Sequence, residues 1–202
     1  MPPSVRVDDE RAIDQLEQPR HPRRACRRDT VAKRPLIHFV SDLNQIANPM
    51  NHDLHIALYQ PEIPGNTGAI LRLVACFAAT VDIIRPLGFE LSDKTLKRAG
   101  MDYMEIAAIR DHVDFTAFEH WRKSEQRRLV LMTTRAAEPY DRFTFQRGDV
   151  LLFGRESSGV PDDVRAIADQ QLRIPIRPEA RSLNLGMSAA ITISEAARQL
   201  QV

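Results

Sequence analysis

Three short stretches of this chain combine glycine, proline and polar side chains in a way that could hold a ligand. The first is Gln60-Pro61-Glu62-Ile63-Pro64-Gly65-Asn66-Thr67-Gly68, with Arg72 a turn and a half further on. Its prolines keep the backbone extended. Asn66 has the chemistry of a helix N-cap, an amide oxygen that accepts a backbone N–H two or three residues later. On residue type alone, Arg72 is either a ligand contact or an ordinary helix-surface arginine. The second stretch is Phe153-Gly154-Arg155-Glu156-Ser157-Ser158-Gly159-Val160-Pro161. Its glycines let a ligand come close to the main chain, and Glu156 is either a ligand contact or a charge at a helix end. The third runs from Ile174 through Pro175, Ile176, Arg177, Pro178, Arg181, Ser182, Leu183 and Asn184 to Leu185. Ser182 is a natural N-cap for a following helix. Asn184 is a poor helix former, so an amide kept in the first turn suggests a contact.

These patterns also exclude chemistry. No Gly-x-x-x-x-Gly-Lys-Ser/Thr occurs, and an acid in the second loop would repel phosphate. No Gly-x-Gly-x-x-Gly follows the first strand, which argues against a Rossmann-type site.

The frame that must position these loops is legible in the hydropathy. Strands are expected at residues 55–60, 81–85, 105–110, 128–133, 149–153 and 172–176, and helices at 67–79, 92–99, 115–123, 162–168 and 183–200. Short apolar runs alternating with amphipathic stretches predict an α/β fold, a mostly parallel sheet with helices on both faces. Such sheets bind ligands beyond the C-terminal ends of their strands, where all three loops fall.

Residues 53–202 are expected to form one domain, preceded by a disordered basic extension over 1–52. Pro2, Pro3, Pro19, Pro22, Pro35 and Pro49 interrupt that segment, and Met50 is a candidate alternative start. Twenty-eight basic and 27 acidic residues leave a net charge of +1, so nucleic-acid binding would need local basic patches. The two cysteines, Cys26 and Cys76, show no metal or disulfide spacing, and the six scattered histidines give no zinc pattern. A reduced, cytoplasmic compartment is expected, and no membrane-spanning run is visible.

Taken together, Asn66-x-Gly68-x-x-x-Arg72, Phe153-Gly154-x-Glu156-x-x-Gly159-Val160-Pro161 and Ile174-Pro175…Ser182-Leu183-Asn184-Leu185 resemble the three motifs of the SpoU branch of the SPOUT RNA 2′-O-methyltransferases. Leu58 to Pro64, Arg85 to Phe89 and Lys97 to Tyr103 are similar to the TrmL subgroup, tRNA (cytidine/uridine-2′-O-)-methyltransferases. The resemblance covers about residues 54–200. It implies a SPOUT α/β knot with a C-terminal deep trefoil, an exception to the rule that chains are unknotted. It further implies a homodimer that acts on the wobble cytidine or uridine of tRNA, binds neither DNA nor a membrane, and takes S-adenosyl-L-methionine as methyl donor with no metal.

Carried over residue by residue, the donor contacts fall on Met132, Gly154, Ile174, Ser182, Leu183 and Leu185. Arg72, from the other protomer, would clamp a phosphate and stabilise the developing alkoxide, since a guanidinium is a poor base. Asn66, Glu156 and Asn184 would orient the ribose and support Arg72. RNA would be gripped by Lys94, Lys97, Arg98, Arg177 and Arg181. The last helix, with Ala189, Ala190, Ala196 and Ala197, is expected to pack against its twin. Two departures from the family pattern stand out: Gly186-Met187 where Ser-Asn is common, and Gly65 where Pro is common. The alternatives are another tRNA or rRNA ribose as target, or a non-catalytic knotted RNA-binding or assembly protein.

Overall fold

A computed structural model describes residues 53–90, 103 and 107–200. The expected extension over 1–52 and the basic helix over 92–99, with Lys94, Lys97 and Arg98, lie outside the described residues.

The strands are β1 (His55–Tyr59), β2 (Thr80–Ile84), β3 (Ala108–His112), β4 (Leu129–Met132), β5 (Glu138–Pro139), β6 (Val150–Phe153) and β7 (Gln170–Arg173). They form one sheet in the order β3-β2-β1-β6-β4-β7-β5, and every pairing is parallel. The helices are α1 (Pro64–Cys76), α2 (Phe115–Ser124), α3 (Asp162–Ala166) and α4 (Leu185–Gln199).

Alternation along each strand sorts side chains between two buried faces. Ile56, Leu58, Val130, Leu151 and Phe153 meet Ile70, Leu71 and Val74 of α1 and Ala189, Ile193 and Ala196 of α4 on one side. Ala57, Tyr59, Leu131, Val150 and Leu152 meet Phe118 of α2 and Val164 of α3 on the other. Because both faces are covered, β1 and β6 are buried throughout.

Register places the site. Leu58 pairs with Phe153, Phe153 with Met132, and Met132 with Leu172. The C-terminal ends of β1, β6, β4 and β7 are therefore level, and the loops that follow them share one edge of the sheet. β7 lies between β4 and β5, although β5 follows β4 directly in the chain. Residues 133–137 thus arch over a strand inserted later, the arrangement that the expected knot requires.

Several element ends differ from expectation, each for a local reason. α1 begins at Pro64 rather than Thr67, and Ile63, not Asn66, is its N-cap, with no side-chain cap bond. Proline suits the first helical position, because its φ is preset and its missing N–H would be unpaired there anyway. α4 begins at Leu185 with Asn184, not Ser182, as N-cap; Asn184 Oδ1 accepts from Met187 N at 3.3 Å. β7 stops at Arg173 instead of Ile176, since Pro175 cannot donate to a ladder flanked on both sides. β3 lies at Ala108–His112 rather than 105–110, and the two-residue β5 was not foreseen.

The alanines of α4 also need correcting. Ala189, Ala196 and Ala197 are buried in the chain's own core, so they are not available to a twin, whereas Ala190 is half-buried. Gly186 does not interrupt α4. It lets the helix settle on α1, where a Cβ would lie 3.4 Å from Ala69 Cβ and 3.3 Å from Asn184 Oδ1. No helix among the described residues is long and apolar enough to cross a membrane.

Under α2 the sheet carries a buried polar cluster. Asp82, 0% exposed, accepts from His55 Nδ1 at 2.6 Å, His112 Nε2 at 2.8 Å and Arg110 Nη1 at 3.2 Å. Trp121 covers it, packing its ring on both histidines, with the Arg110 guanidinium 4.0 Å from the ring centre. Burial alone would raise the Asp82 pKa; the histidine hydrogen bonds and the His55 and Arg110 charges outweigh it and bring the value down to about 2. Burial likewise opposes the charged form of His55, but bonds to Asp53 and Asp82 raise its pKa overall.

A depressed carboxylate contributes stability that is present above its unfolded value and lost as pH falls through its folded one. Asp82→Asn should therefore lower unfolding stability at neutral pH by about 3 kcal/mol, the scale for breaking a buried ion pair. The gap from wild type should close as pH drops from about 4 to about 2. Urea unfolding followed by the fluorescence of Trp121, the sole tryptophan, measures both; a gap that does not change with pH would contradict this assignment.

Candidate active site

The three loops meet at the C-terminal edge of the sheet around a cleft of about 560 Å³. The loop after β6 determines its shape. Arg155 and Gly159 exchange two main-chain hydrogen bonds, at 3.0 and 2.9 Å, closing residues 155–159 into a tight hairpin. Gly159 takes φ +72°, a conformation suited to glycine. The hairpin folds back so far that a Cβ on Gly154 would lie 2.4 Å from the Gly159 carbonyl carbon. No side chain fits at 154.

This hairpin aims Glu156 at the start of α1. One carboxylate oxygen accepts from Glu62 N at 2.9 Å, and the other from Ile63 N at 3.3 Å and Asn66 Nδ2 at 3.0 Å. α1 has neither a side-chain cap nor an acid in its first turn, so Glu156 supplies from a distant strand the negative charge that a helix N-terminus favours.

Directionality then propagates. Asn66 must turn its NH₂ toward the carboxylate, which leaves its Oδ1 facing Asn184 Nδ2 at 2.7 Å. Asn184 in turn presents its Oδ1 to Met187 N at the start of α4. Amide orientation is thus set by the chain of partners. Loops one, two and three are tied by this single relay.

A second clasp runs the other way. Glu62 accepts from Ser157 N at 2.9 Å and Ser157 Oγ at 2.8 Å, bonds that hold its carboxyl below the usual carboxylate range. Arg155 donates from Nη2 to Gln60 Oε1, adding another tie between the loops.

All six residues expected to contact a donor, Met132, Gly154, Ile174, Ser182, Leu183 and Leu185, line the cleft. So do Asn66, Glu156, Asn184 and Arg181. Met132, Ile174 and Leu185 supply the apolar faces that a purine needs, so the cleft fits an adenosyl group.

Two expected residues stand elsewhere. Arg72 is exposed on α1, its guanidinium 4.9 Å from the Tyr103 ring centre, and does not line the cleft of its own chain. Arg177 is exposed outside the lining. Sequence reasoning missed Glu62 as a clasp and Arg135 and Arg165 as cleft residues. Only Arg135, three residues past the end of β4, stood where a strand-end rule could have found it. Among the described residues no group of three or more His, Cys, Asp or Glu side chains could hold a metal.

Gly154→Ala should abolish measurable binding of an adenosyl ligand while Gly65→Ala, where a Cβ meets nothing within 4 Å, leaves it intact. Equilibrium dialysis distinguishes them, and equal affinities would show that the hairpin does not shape the cleft.

The SpoU rRNA Methylase family profile matches residues 53–194. A tRNA (cytidine(34)-2′-O)-methyltransferase of Beijerinckia indica subsp. indica is 52% identical over 145 residues, covering 72% of this chain and 91% of that protein. A solved structure reported as "Structural insights into the 2-OH methylation of C/U34 on tRNA" is 41% identical, with a TM-score of 0.70, and covers 73% of this chain and 96% of that one. An AdoMet-bound rRNA methyltransferase of Sinorhizobium meliloti is 27% identical, with a TM-score of 0.68, over 73% of this chain and 57% of that one. With the profile running from the start of β1 into α4, the chain belongs to the SpoU rRNA Methylase family.

Proposed function

We propose that this chain is a tRNA 2′-O-methyltransferase that modifies the ribose of nucleotide 34, a cytidine or uridine, in the cytoplasm and as a homodimer. S-Adenosyl-L-methionine is the methyl donor, supplying an electrophilic methyl group on a sulfonium. The ribose 2′-oxygen would bond to that methyl carbon as the carbon–sulfur bond breaks, leaving a neutral thioether, with the hydroxyl proton passing to solvent water. The observation that carries the reading is the Glu156–Asn66–Asn184 relay, which joins all three loops at a cleft able to take an adenosyl group.

The protein groups divide into two roles. Gly154 and the apolar wall of Met132, Ile174 and Leu185 seat the donor. Glu156 already accepts three hydrogen bonds, so it is a positioning residue that holds the start of α1. Arg72 lies further along that helix and reaches the cleft of the partner, where its fork clamps a phosphate and stabilises the developing oxyanion. Ile63, Leu183 and Met187 are exposed large apolar side chains, and the first two line the cleft. A second copy of the chain covering them would close the site.

Tritiated methyl transfer to total tRNA, with mapping of the labelled nucleotide, tests the reading. Label at the 2′-oxygen of position 34 is expected. Label on another ribose would reassign the substrate, and none at all would favour a non-catalytic RNA-binding protein. Arg72→Ala should cost about 10²–10³-fold in rate, on the scale of one oxyanion donor, and Arg72→Lys should recover only part of it. If Arg72 acts in trans, mixing Arg72→Ala chains with Gly154→Ala chains should restore about a quarter of the wild-type sites, because half of randomly paired dimers are mixed and each rebuilds one site. No recovery by folded mixtures would place arginine and cleft in the same chain.

A further inference from the structure

Four arginines, Arg135, Arg155, Arg165 and Arg181, line the cleft with a single carboxylate, Glu156, whose oxygens are taken by α1. A sulfonium donor carries its own positive charge, so this surplus does not serve the sulfonium. Arg155 is tied to Gln60. Arg165 and Arg135 are different.

The structural arginines of this chain close tightly on their acids: Arg122 on Glu119 at 2.7 Å and Arg128 on Asp149 at 2.7 Å. Arg165 Nη2 and Arg135 Nη1 instead stand 3.8 and 4.0 Å from the same oxygen, Asp162 Oδ1, beyond hydrogen-bond length. The Arg165 side chain is only 22% exposed, and its Nε is buried without a hydrogen-bond partner among the described residues. Asp162 is 91% exposed. One exposed carboxylate thus stands beyond hydrogen-bond length from two guanidinium forks, the half-buried Arg165 and the more exposed Arg135, both of which line the cleft.

We propose that Arg165 and Arg135 form an oxyanion subsite, and that Asp162 competes for it until a ligand arrives. The chemistry is a planar or tetrahedral oxyanion bound by guanidinium forks. Within the methyltransferase reading, on which the identity of the ligand rests, that oxyanion is either the donor's α-carboxylate or a phosphodiester flanking the target ribose. A purely structural ion pair predicts that losing Asp162 does nothing or harms binding. Competition predicts the opposite.

The test uses the full chain with Arg165→Gln, Arg135→Gln and Asp162→Asn. Calorimetry measures affinity for S-adenosylhomocysteine and for its decarboxylated analogue, and fluorescence anisotropy over a salt series measures an anticodon stem-loop RNA. Arg165→Gln should weaken one ligand by about tenfold, the scale of a charge-assisted hydrogen bond, and Asp162→Asn should tighten the same ligand. A loss confined to the ligand that keeps its carboxylate assigns the donor. A loss confined to RNA, with a salt slope reduced by about one phosphate contact, assigns the phosphodiester. If wild type binds both ligands and all three variants bind them equally well, the subsite is wrong while the enzyme reading survives; wild type binding neither would sink both. Should Arg165→Gln fail to fold, the exposed Asp162→Asn decides alone: tighter binding supports competition and unchanged binding overturns it.

Discussion

The site depends on one electrostatic debt, the unpaired N–H groups and partial positive charge at the start of α1. A helix that opens with Ile63 and Pro64 has no side-chain oxygen of its own to satisfy that end. Glu156 reaches it from β6, accepting from Glu62 N, Ile63 N and the Asn66 amide. The bonds are charge-assisted, so they are stronger than the neutral contacts around them. Their geometric effect matters more. The hairpin that shapes the cleft is locked to the helix that carries Arg72, and a shift of either element moves the other. The Glu62–Ser157 clasp reinforces the same junction from the opposite direction, with the helix-side residue now the acceptor.

The sheet makes that junction rigid. Level strand ends follow from a parallel register in which Leu58, Phe153 and Met132 are successive partners. Both faces are filled with aliphatic side chains, and a strand buried on both faces cannot slip by one residue without exchanging its two cores. Where the pattern is broken by charge, at Asp82, the cost of burial is met by three donors and a tryptophan cover. That cluster lies under α2. The cleft and the cluster are separate polar systems, one closed against solvent and one left open to a ligand.

This distinction explains what could be read from the sequence. β1, β4 and β6 were legible because double-sided burial writes an unbroken apolar run, and the three loops were legible because glycine and proline punctuate them. The helix starts were not. Asn66 has the residue type of a cap for α1, and Ser182 and Asn184 are nearly equivalent as caps for α4, but Asn66 instead donates to Glu156, some ninety residues away. Once Asn66 is committed to that carboxylate, Asn184 is drawn to it and becomes the cap, leaving Ser182 free in the cleft. The two-residue β5 carries no periodicity to detect. Arg165 sits in a five-residue helix and looks like any surface arginine until Asp162 and the cleft wall are placed beside it. Ala189 and Ala196 of α4 read in the sequence as part of a surface for a twin, yet the chain uses them to bring α4 onto its own α1 and sheet.

The same geometry constrains how a ribose hydroxyl could be activated. Glu156 is the sole carboxylate among the described residues lining the cleft, and no histidine lines it. With its oxygens held by two main-chain N–H groups and an amide, Glu156 could take a proton only by giving up the contacts that set α1. Asn66 and Asn184 have no basic atom, and a guanidinium has no acceptor to offer. On the proposed methyltransferase reading, a cleft built in this way would lower the barrier by holding the attacking oxygen in line with the methyl carbon and by meeting negative charge as it develops. Such charge stabilisation needs fixed dipoles and a rigid fork more than it needs a titrating side chain. The relay through Glu156, Asn66 and Asn184 is suited to that demand, since each amide can point in only one direction once the carboxylate is in place.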